Sequence, residues 1–348
     1  LRCEAGGGLL CIDGTANRVS SGFVARGNVF DQVQLPFMVL QSSGDPAQTR
    51  VEMDIRDNVA ANIAGSFFTA FRYGITGKLR RNRFDNGNLC SSMGGGTYIQ
   101  ITSTTLNGTS EPFVVEENIA SRYRNGTGNN SFDGGCYYVD LLDTGTVHQN
   151  NIALNSYVAF QCGNGDLSKW IGNSSINCEK FGMWNNAAEW LQTSDYHIEH
   201  NLHLGAPLGT YTHGQDTEAS AAAMVVTHNG TASNIVAARI RNNVIIMAQG
   251  DPRNAANILT SAIWAAGKVQ CSNNAFVCDS PVKVTCDVGT VDKTAAANTV
   301  ITTREACRVS AADGMHYRIS SSSSLWRAGV DLTRINTDAS GTRYYSPP

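Results

Sequence analysis

Ile240-Arg241-Asn242-Asn243-Val244 is the clearest copy of a frame that recurs along the chain: an apolar residue, two more residues, an Asn, then an apolar residue. The frame returns as Ile55-Arg56-Asp57-Asn58-Val59, Val115-Glu116-Glu117-Asn118-Ile119, Ile198-Glu199-His200-Asn201-Leu202 and Cys271-Ser272-Asn273-Asn274-Ala275. Looser copies place Asn28, Asn82, Asn151 and Asn173. Successive Asn are 30, 24, 36, 33, 22, 28, 42 and 31 residues apart. Self-similarity at such a period marks a solenoid.

Most repeats carry a further apolar β-run after the Asn, such as Phe67-Phe68-Thr69-Ala70-Phe71 or Tyr137-Tyr138-Val139-Asp140-Leu141. Each repeat therefore reads as strand, Asn turn, strand, loop, second β-run and turn. Weak helical character is confined to Asn185–Leu191 and Glu218–Met224. One repeat cannot bury its apolar face, but stacked copies can, with like strands pairing in parallel at about 4.8 Å per repeat. A βαβ fold would need a helix in every repeat, and a propeller would need four strands in a longer one. A parallel β-helix remains, a rod of ten or so coils and on the order of 50 Å.

Composition agrees. Of 348 residues, 42% are hydrophobic and only 16% charged, with Gly, Asn, Ser and Thr abundant, which favours a turn-rich β fold. A net charge of −3 argues against nucleic acid as a partner. No apolar run approaches the roughly 20 residues of a membrane span. Leu1 is not an initiator Met, which fits a processed or trimmed piece. Ten Cys without a CxxC spacing do not suggest zinc. Their even number fits a disulfide-bonded extracellular protein, with buried thiols as the alternative. Sequons at Asn107, Asn125, Asn129, Asn173 and Asn229 become acceptors only on a eukaryotic secretory route.

The Asn frames, from about Val24 to Phe276, resemble the right-handed parallel β-helix superfamily, which includes pectate-lyase-like enzymes and phage tailspikes. Arg304–Val309 and Tyr317–Ser320 look like degenerate coils. Ser324-Leu325-Trp326-Arg327-Ala328-Gly329-Val330-Asp331, followed by Asp338, Gly341 and Arg343, resembles the closing segment of secreted β-helix proteins. The resemblance implies an all-β, single-stranded right-handed parallel β-helix of about ten coils. Residues 1–18 are then a cap or incomplete first coil, 19–320 the helix, and 321–348 a tail packed on it. The expected setting is extracellular or on a virion surface. The superfamily holds lyases, hydrolases, epimerases and non-enzymes, so fold does not give activity.

The repeated Asn reads as scaffold. Asn tolerates left-handed backbone, bonds to nearby backbone, and stacks amide on amide. A row of sugar-binding amides is the alternative. The frame also predicts outward columns, because residues two and four before the Asn flank an inward one. They gather charge in two patches. Arg26, Arg56 and Arg80, flanked by Asp54, Lys78 and Glu116, form the first; Lys169, His197, Glu199, Arg239 and Arg241 form the second. Three Arg about 5 Å apart repel by roughly 1 kcal/mol per neighbouring pair in water, so they need acidic neighbours or a bound anion. The patches are read either as a compensated solvated face or as a groove for an acidic polysaccharide.

The longest repeat carries Tyr211-Thr212-His213-Gly214-Gln215-Asp216-Thr217-Glu218. His213 with Asp216 or Glu218 is a candidate base with its partner, or an acid/base carboxylate pair. His197, His200 and His203 invite a metal reading, but a strand does not converge them. Lyases of the resembled superfamily use a basic residue beside a uronate carboxyl, with Ca²⁺ or another cation offsetting charge. That implies Lys169, His197 and Arg239 here, although no acidic cluster reads as a Ca²⁺ site. The functional expectation is binding, with cleavage by lyase or hydrolase chemistry, of an acidic polysaccharide. The alternative is a non-catalytic structural or adhesive module, trimeric or filamentous through unpaired strand edges.

Overall fold

A computed structural model describes residues 8–13, 19–40, 50–71, 74–87, 89, 96–100, 105–106, 109–110, 112–123, 135–140, 145–163, 168–186, 193–211, 222–228, 235–258, 269–277, 284–286, 300–302, 309–311 and 317–319. Every regular element among them is a strand, nearly all paired in parallel. No helix among them is long and apolar enough to cross a membrane. The chain visits three sheets in rotation. The first sheet has ten strands, from Gly8–Asp13 to Val284–Cys286; the second has nine, from Val19–Arg26 to Val269–Ser272; the third has ten, from Val29–Asp31 to Val300–Thr302.

Each Asn frame straddles the corner between a second-sheet strand and the third-sheet strand that follows it. From Asn58 to Asn243, each ladder Oδ1 accepts the backbone N–H of the preceding ladder Asn at 2.9–3.1 Å and its Nδ2–H at 2.8–3.2 Å. Each Nδ2 donates back to the carbonyl of the inward-facing residue of the preceding frame, at 2.7–3.1 Å, and forward to the next Oδ1. An Asn amide has two donors and two acceptor sites, and all four are used. At the far end Asn274 gives its second proton to Cys271 Sγ at 3.4 Å.

The left-handed bend does not fall on these Asn. It falls one residue earlier, on Gly27, Asp57, Arg81, Glu117, Asn150, Gly172, His200, Asn242 and Asn273, with φ from 52° to 69°. The ladder needs the Asn side chain aimed along the stack, and the neighbour takes the turn. Gly, Asn, Asp and His fill most of these positions, the residues for which such a φ costs least.

The residue three before each ladder Asn points inward, as the frame predicts. Ala25, Ile55, Leu79, Val115, His148, Trp170, Ile198, Ile240 and Cys271 occupy successive register positions and are all buried. Ring contacts run through the core from Phe37 through Phe67, Phe84, Tyr137, Phe160 and Trp170 to Trp184, with centroids 4.8–6.0 Å apart. Such pairs add about 0.5–1.5 kcal/mol each beyond their area burial. Gly182 makes room for this stack, since a Cβ there would lie 2.6 Å from the Trp184 ring and 2.7 Å from the Phe160 carbonyl oxygen.

Some expectations are corrected. Lys180–Asn186 and Ala222–His228 are strands, so the weak helical periodicity yields there to parallel pairing. Val309–Ala311 and Tyr317–Ile319 pair antiparallel with each other and do not extend the parallel sheets. Cys136, Cys162, Cys178 and Cys271 are buried and in no disulfide, so the disulfide expectation fails at these four. Cys136 contacts Ser156 Oγ at 3.1 Å, and burial pushes the Cys178 thiol up to about 11.

The ladder sets a graded stability test. Asn201→Leu strands the Asn173 amide donors and the Trp170 carbonyl in the interior and is expected to cost about 3–5 kcal/mol. Asn28→Leu, at the exposed end, is expected to cost less than about 1 kcal/mol. Urea unfolding midpoints check this, and equal losses at both positions would contradict the ladder's role.

Candidate functional site

The outward columns form as the frame predicts. Arg26, Arg56, Arg80 and Glu116 are consecutive register partners, as are Asp54 and Lys78 beside them. In this first patch, opposite charges interleave. Asp54 accepts a two-point contact from Arg80 at 3.1 and 3.2 Å. Arg56 Nε lies 3.3 Å from the same carboxylate, close enough for an ion pair but without hydrogen-bond alignment. Arg26 and Arg81 share Asp57 at 3.4 and 2.8 Å. Lys78 and Gln149 bind Glu116 at 2.7 and 2.8 Å. Burial works to raise the Glu116 pKa, but the Lys78 and Gln149 hydrogen bonds outweigh it and leave the carboxyl below its usual range. The three Arg therefore have acidic neighbours and need no bound anion.

The second patch is more compact. Lys169, His197 and Arg239 follow one another in register, and Ile171, Glu199 and Arg241 follow in the next outward column. His197 Nδ1 is 3.8 Å from Glu199 Oε1. His197, Glu199 and Arg241 point outward yet are each only 8% exposed, whereas Lys169 and Arg239 are half-buried. A weakly hydrated cationic group of this kind holds a carboxylate more strongly than a solvated one does. The arrangement can bind an anionic group, and the imidazole, with its adjacent carboxylate, can accept a proton.

The other histidines diverge. His200 sits in the left-handed bend with Nε2 3.2 Å from Asn242 Nδ2, and burial lowers its pKa. His203 turns into the core, with Nδ1 3.0 Å from Ser175 Oγ, and burial takes it down to about 3. Among the described residues no group of three His, Cys, Asp or Glu is placed to hold a metal ion.

His213, Asp216 and Glu218 lie outside the described residues. Tyr211, just before them, is tied down: its N–H donates to Glu179 Oε1 and its hydroxyl accepts from Asn177 Nδ2 at 2.8 Å. Glu179 belongs to a buried ionic cluster that the repeat frame does not reveal. Arg253 grips Asp251 through Nε and Nη2 at 3.0 and 2.7 Å and donates to the Glu179 carbonyl at 2.9 Å. The fully buried Lys180 places Nζ 5.2 Å from the Tyr157 ring centroid. Glu179-Lys180 and Asp251-Pro252-Arg253 are charged pairs in a charge-poor chain, and that contrast is the signal that could have found them.

A second row also escapes the frame. Gln32, Asn62, Asn86, Arg122, Asn155 and Asn177, each four residues after a ladder Asn, adopt φ of 51–56°. Asn86 donates to Asn62 and Asn177 to Asn155, each at 2.7 Å, while Arg122 pairs with Asp85 and holds its pKa low. The Asn residue four positions on is visible in sequence once the first ladder is aligned.

No protein-family model, curated protein or solved structure matches the chain.

His148 gives a pH test. It is fully buried, stacked on Trp170 at 4.0 Å, and burial lowers its pKa from 6.5 to about 3. Below pH 6.5 the unfolded chain takes up a proton that the folded chain refuses, so stability falls as pH drops from 6.5 towards 3. The loss from this group is roughly 2 kcal/mol at pH 5. His148→Leu is expected to lose about that much less stability between pH 7.5 and pH 5, read as the difference in denaturation midpoints. An unchanged pH slope would place a protonated imidazole in the core.

Proposed function

We propose that the chain is a single-stranded right-handed parallel β-helix of about ten coils, akin to the pectate-lyase-like and tailspike superfamily, that binds an acidic polysaccharide. The register of Lys169, His197 and Arg239, with Arg241 alongside, carries this reading. Lys169 and Arg239 lie on either side of His197 in that column, so an extended polyanion lying across the strands would meet two cations separated by two coil spacings of about 4.8 Å. Lys169 and Arg239 supply charge-assisted hydrogen bonds to carboxylates. If cleavage accompanies binding, His197 is the base and Glu199 its orienting partner for β-elimination, and the Tyr211–Glu218 loop offers carboxylates for hydrolysis. The expected setting is secreted or on a virion surface.

A structural or adhesive role, as a trimer or filament, is the second reading. It is favoured by the first patch, where Arg26, Arg56 and Arg80 are satisfied by their own carboxylates.

Binding to a polyuronate and to a neutral glucan, with ultraviolet detection of unsaturated ends and a reducing-end assay, separates these readings. Polyuronate binding is expected to weaken with salt, and Lys169→Gln and Arg239→Gln are each expected to lower affinity by roughly 10- to 100-fold. No polyanion binding, with trimers or filaments by native mass measurement, would leave the structural reading.

A further inference from the structure

One outward column of the second sheet changes character in mid-chain. Val114 and Val147 hold it in two successive strands, and Lys169, His197 and Arg239 hold it in the next three. His197, on the strand Thr193–Glu199, thus lies between Lys169 on Lys169–Ile171 and Arg239 on Ile235–Arg241. Glu199 follows it by two residues on its own strand, with Oε1 3.8 Å from His197 Nδ1. Arg241 is the register partner of Glu199, and Asp195 stands two residues before His197 in the strand. Among the described residues, Lys169 and Arg239 therefore face the imidazole across the sheet and Glu199 faces it along the strand.

An imidazole is the side chain that ordinarily changes charge between pH 5 and 8. While it is neutral, the cations of this column are separated by two strand spacings, about 9.6 Å. When it is charged, three successive strands each carry a cation. Lys169 and Arg239 repel that third charge and Glu199 attracts it. A polyanion lying over the column adds a second attraction. His197 and Glu199 are nearly buried, so solvent screens these charges weakly. Proton and polyanion therefore favour each other, and the effect is reciprocal.

We propose that His197 makes binding at this face proton-linked: an acidic polymer is held more tightly when the imidazole is charged and loosens when it loses its proton. This rests on the polysaccharide reading above and adds its regulation. The proton also occupies the ring lone pair that a general base needs, so tight holding and proton abstraction belong to opposite protonation states. The chain grips its polymer in mildly acidic surroundings and loosens it in neutral ones.

Calorimetric titration of the full chain with a polyuronate at pH 7.5 and pH 5.5, at one ionic strength, tests this. Uronate carboxyls titrate well below that range, so the charge of the polymer stays constant. Affinity is expected to rise roughly three- to tenfold at pH 5.5, the gain that one more charge about 5 Å from a carboxylate supplies. At pH 6.5 the complex is expected to take up protons, read as a binding heat that varies with the ionisation enthalpy of the buffer. His197→Gln is expected to bind with one affinity at both pH values and to take up no proton. An acid gain that persists in His197→Gln overturns the inference, as does equal affinity of the unmodified protein at both pH values. Should His197→Gln fail to fold, Glu199→Gln decides: it removes the neighbouring carboxyl and is expected to keep an acid gain, and loss of the gain there overturns the assignment to His197. No binding at either pH overturns the polysaccharide reading itself, and this inference with it.

Discussion

A buried amide that must satisfy two donors and two acceptors at once is the constraint on which the rest of this structure depends. Asn meets it because its amide sits one carbon from the backbone. There Oδ1 can collect both N–H groups of the preceding Asn while Nδ2 reaches back to a carbonyl and forward to the next amide. Asp would supply no donor, and Gln would carry its amide one carbon too far. The requirement is met at one corner of every repeat, so spacings from 22 to 42 residues are tolerated: the excess length is accommodated elsewhere in the repeat. Locking that corner fixes the register of all three sheets, because the side-chain period of a strand leaves no freedom to slip by one residue.

Register in turn decides where charge can go. The outward columns of the second sheet bring like and unlike charges to strand spacing, and the two patches resolve the problem differently. Around Asp54, Asp57 and Glu116, cation and carboxylate interleave and the face is compensated. Around His197, Lys169, Arg239 and Arg241 gather beside Glu199, and His197, Glu199 and Arg241 are poorly hydrated. A third solution lies off the columns, where Asp251, Arg253 and the Glu179 backbone form a buried, bidentate arrangement. Pairs of this kind are expensive to desolvate and hold only when the geometry is good, which suits them to anchoring an irregular corner.

The inward and outward columns were legible in the sequence because they depend on one offset from a recognisable Asn. His200 and His203 read in sequence as part of a metal invitation, and the structure puts one at the bend and the other in the core. The location of the left-handed residue was not legible. Many residue types can adopt that φ, and Arg81 and Glu117 carry it with no local signal. The buried ionic cluster was hidden for another reason. Arg253 and Glu179 are 74 residues apart, and no repeat register relates them. The candidate groups His213, Asp216 and Glu218 share a stretch of sequence outside the described residues, and Tyr211 just before it is anchored to Glu179 and Asn177.

By itself, the sequence determined the repeat, the parallel all-β architecture and the membership of each column, because these follow from local periodicity and the hydrogen-bonding capacity of one side chain. Tertiary structure decided which outward residues are covered, which charges cancel, and which cysteines and histidines lie in a dry interior. Those outcomes depend on distances between residues far apart in the chain. The Asn ladder brings them together, but its own sequence signal does not encode what they meet.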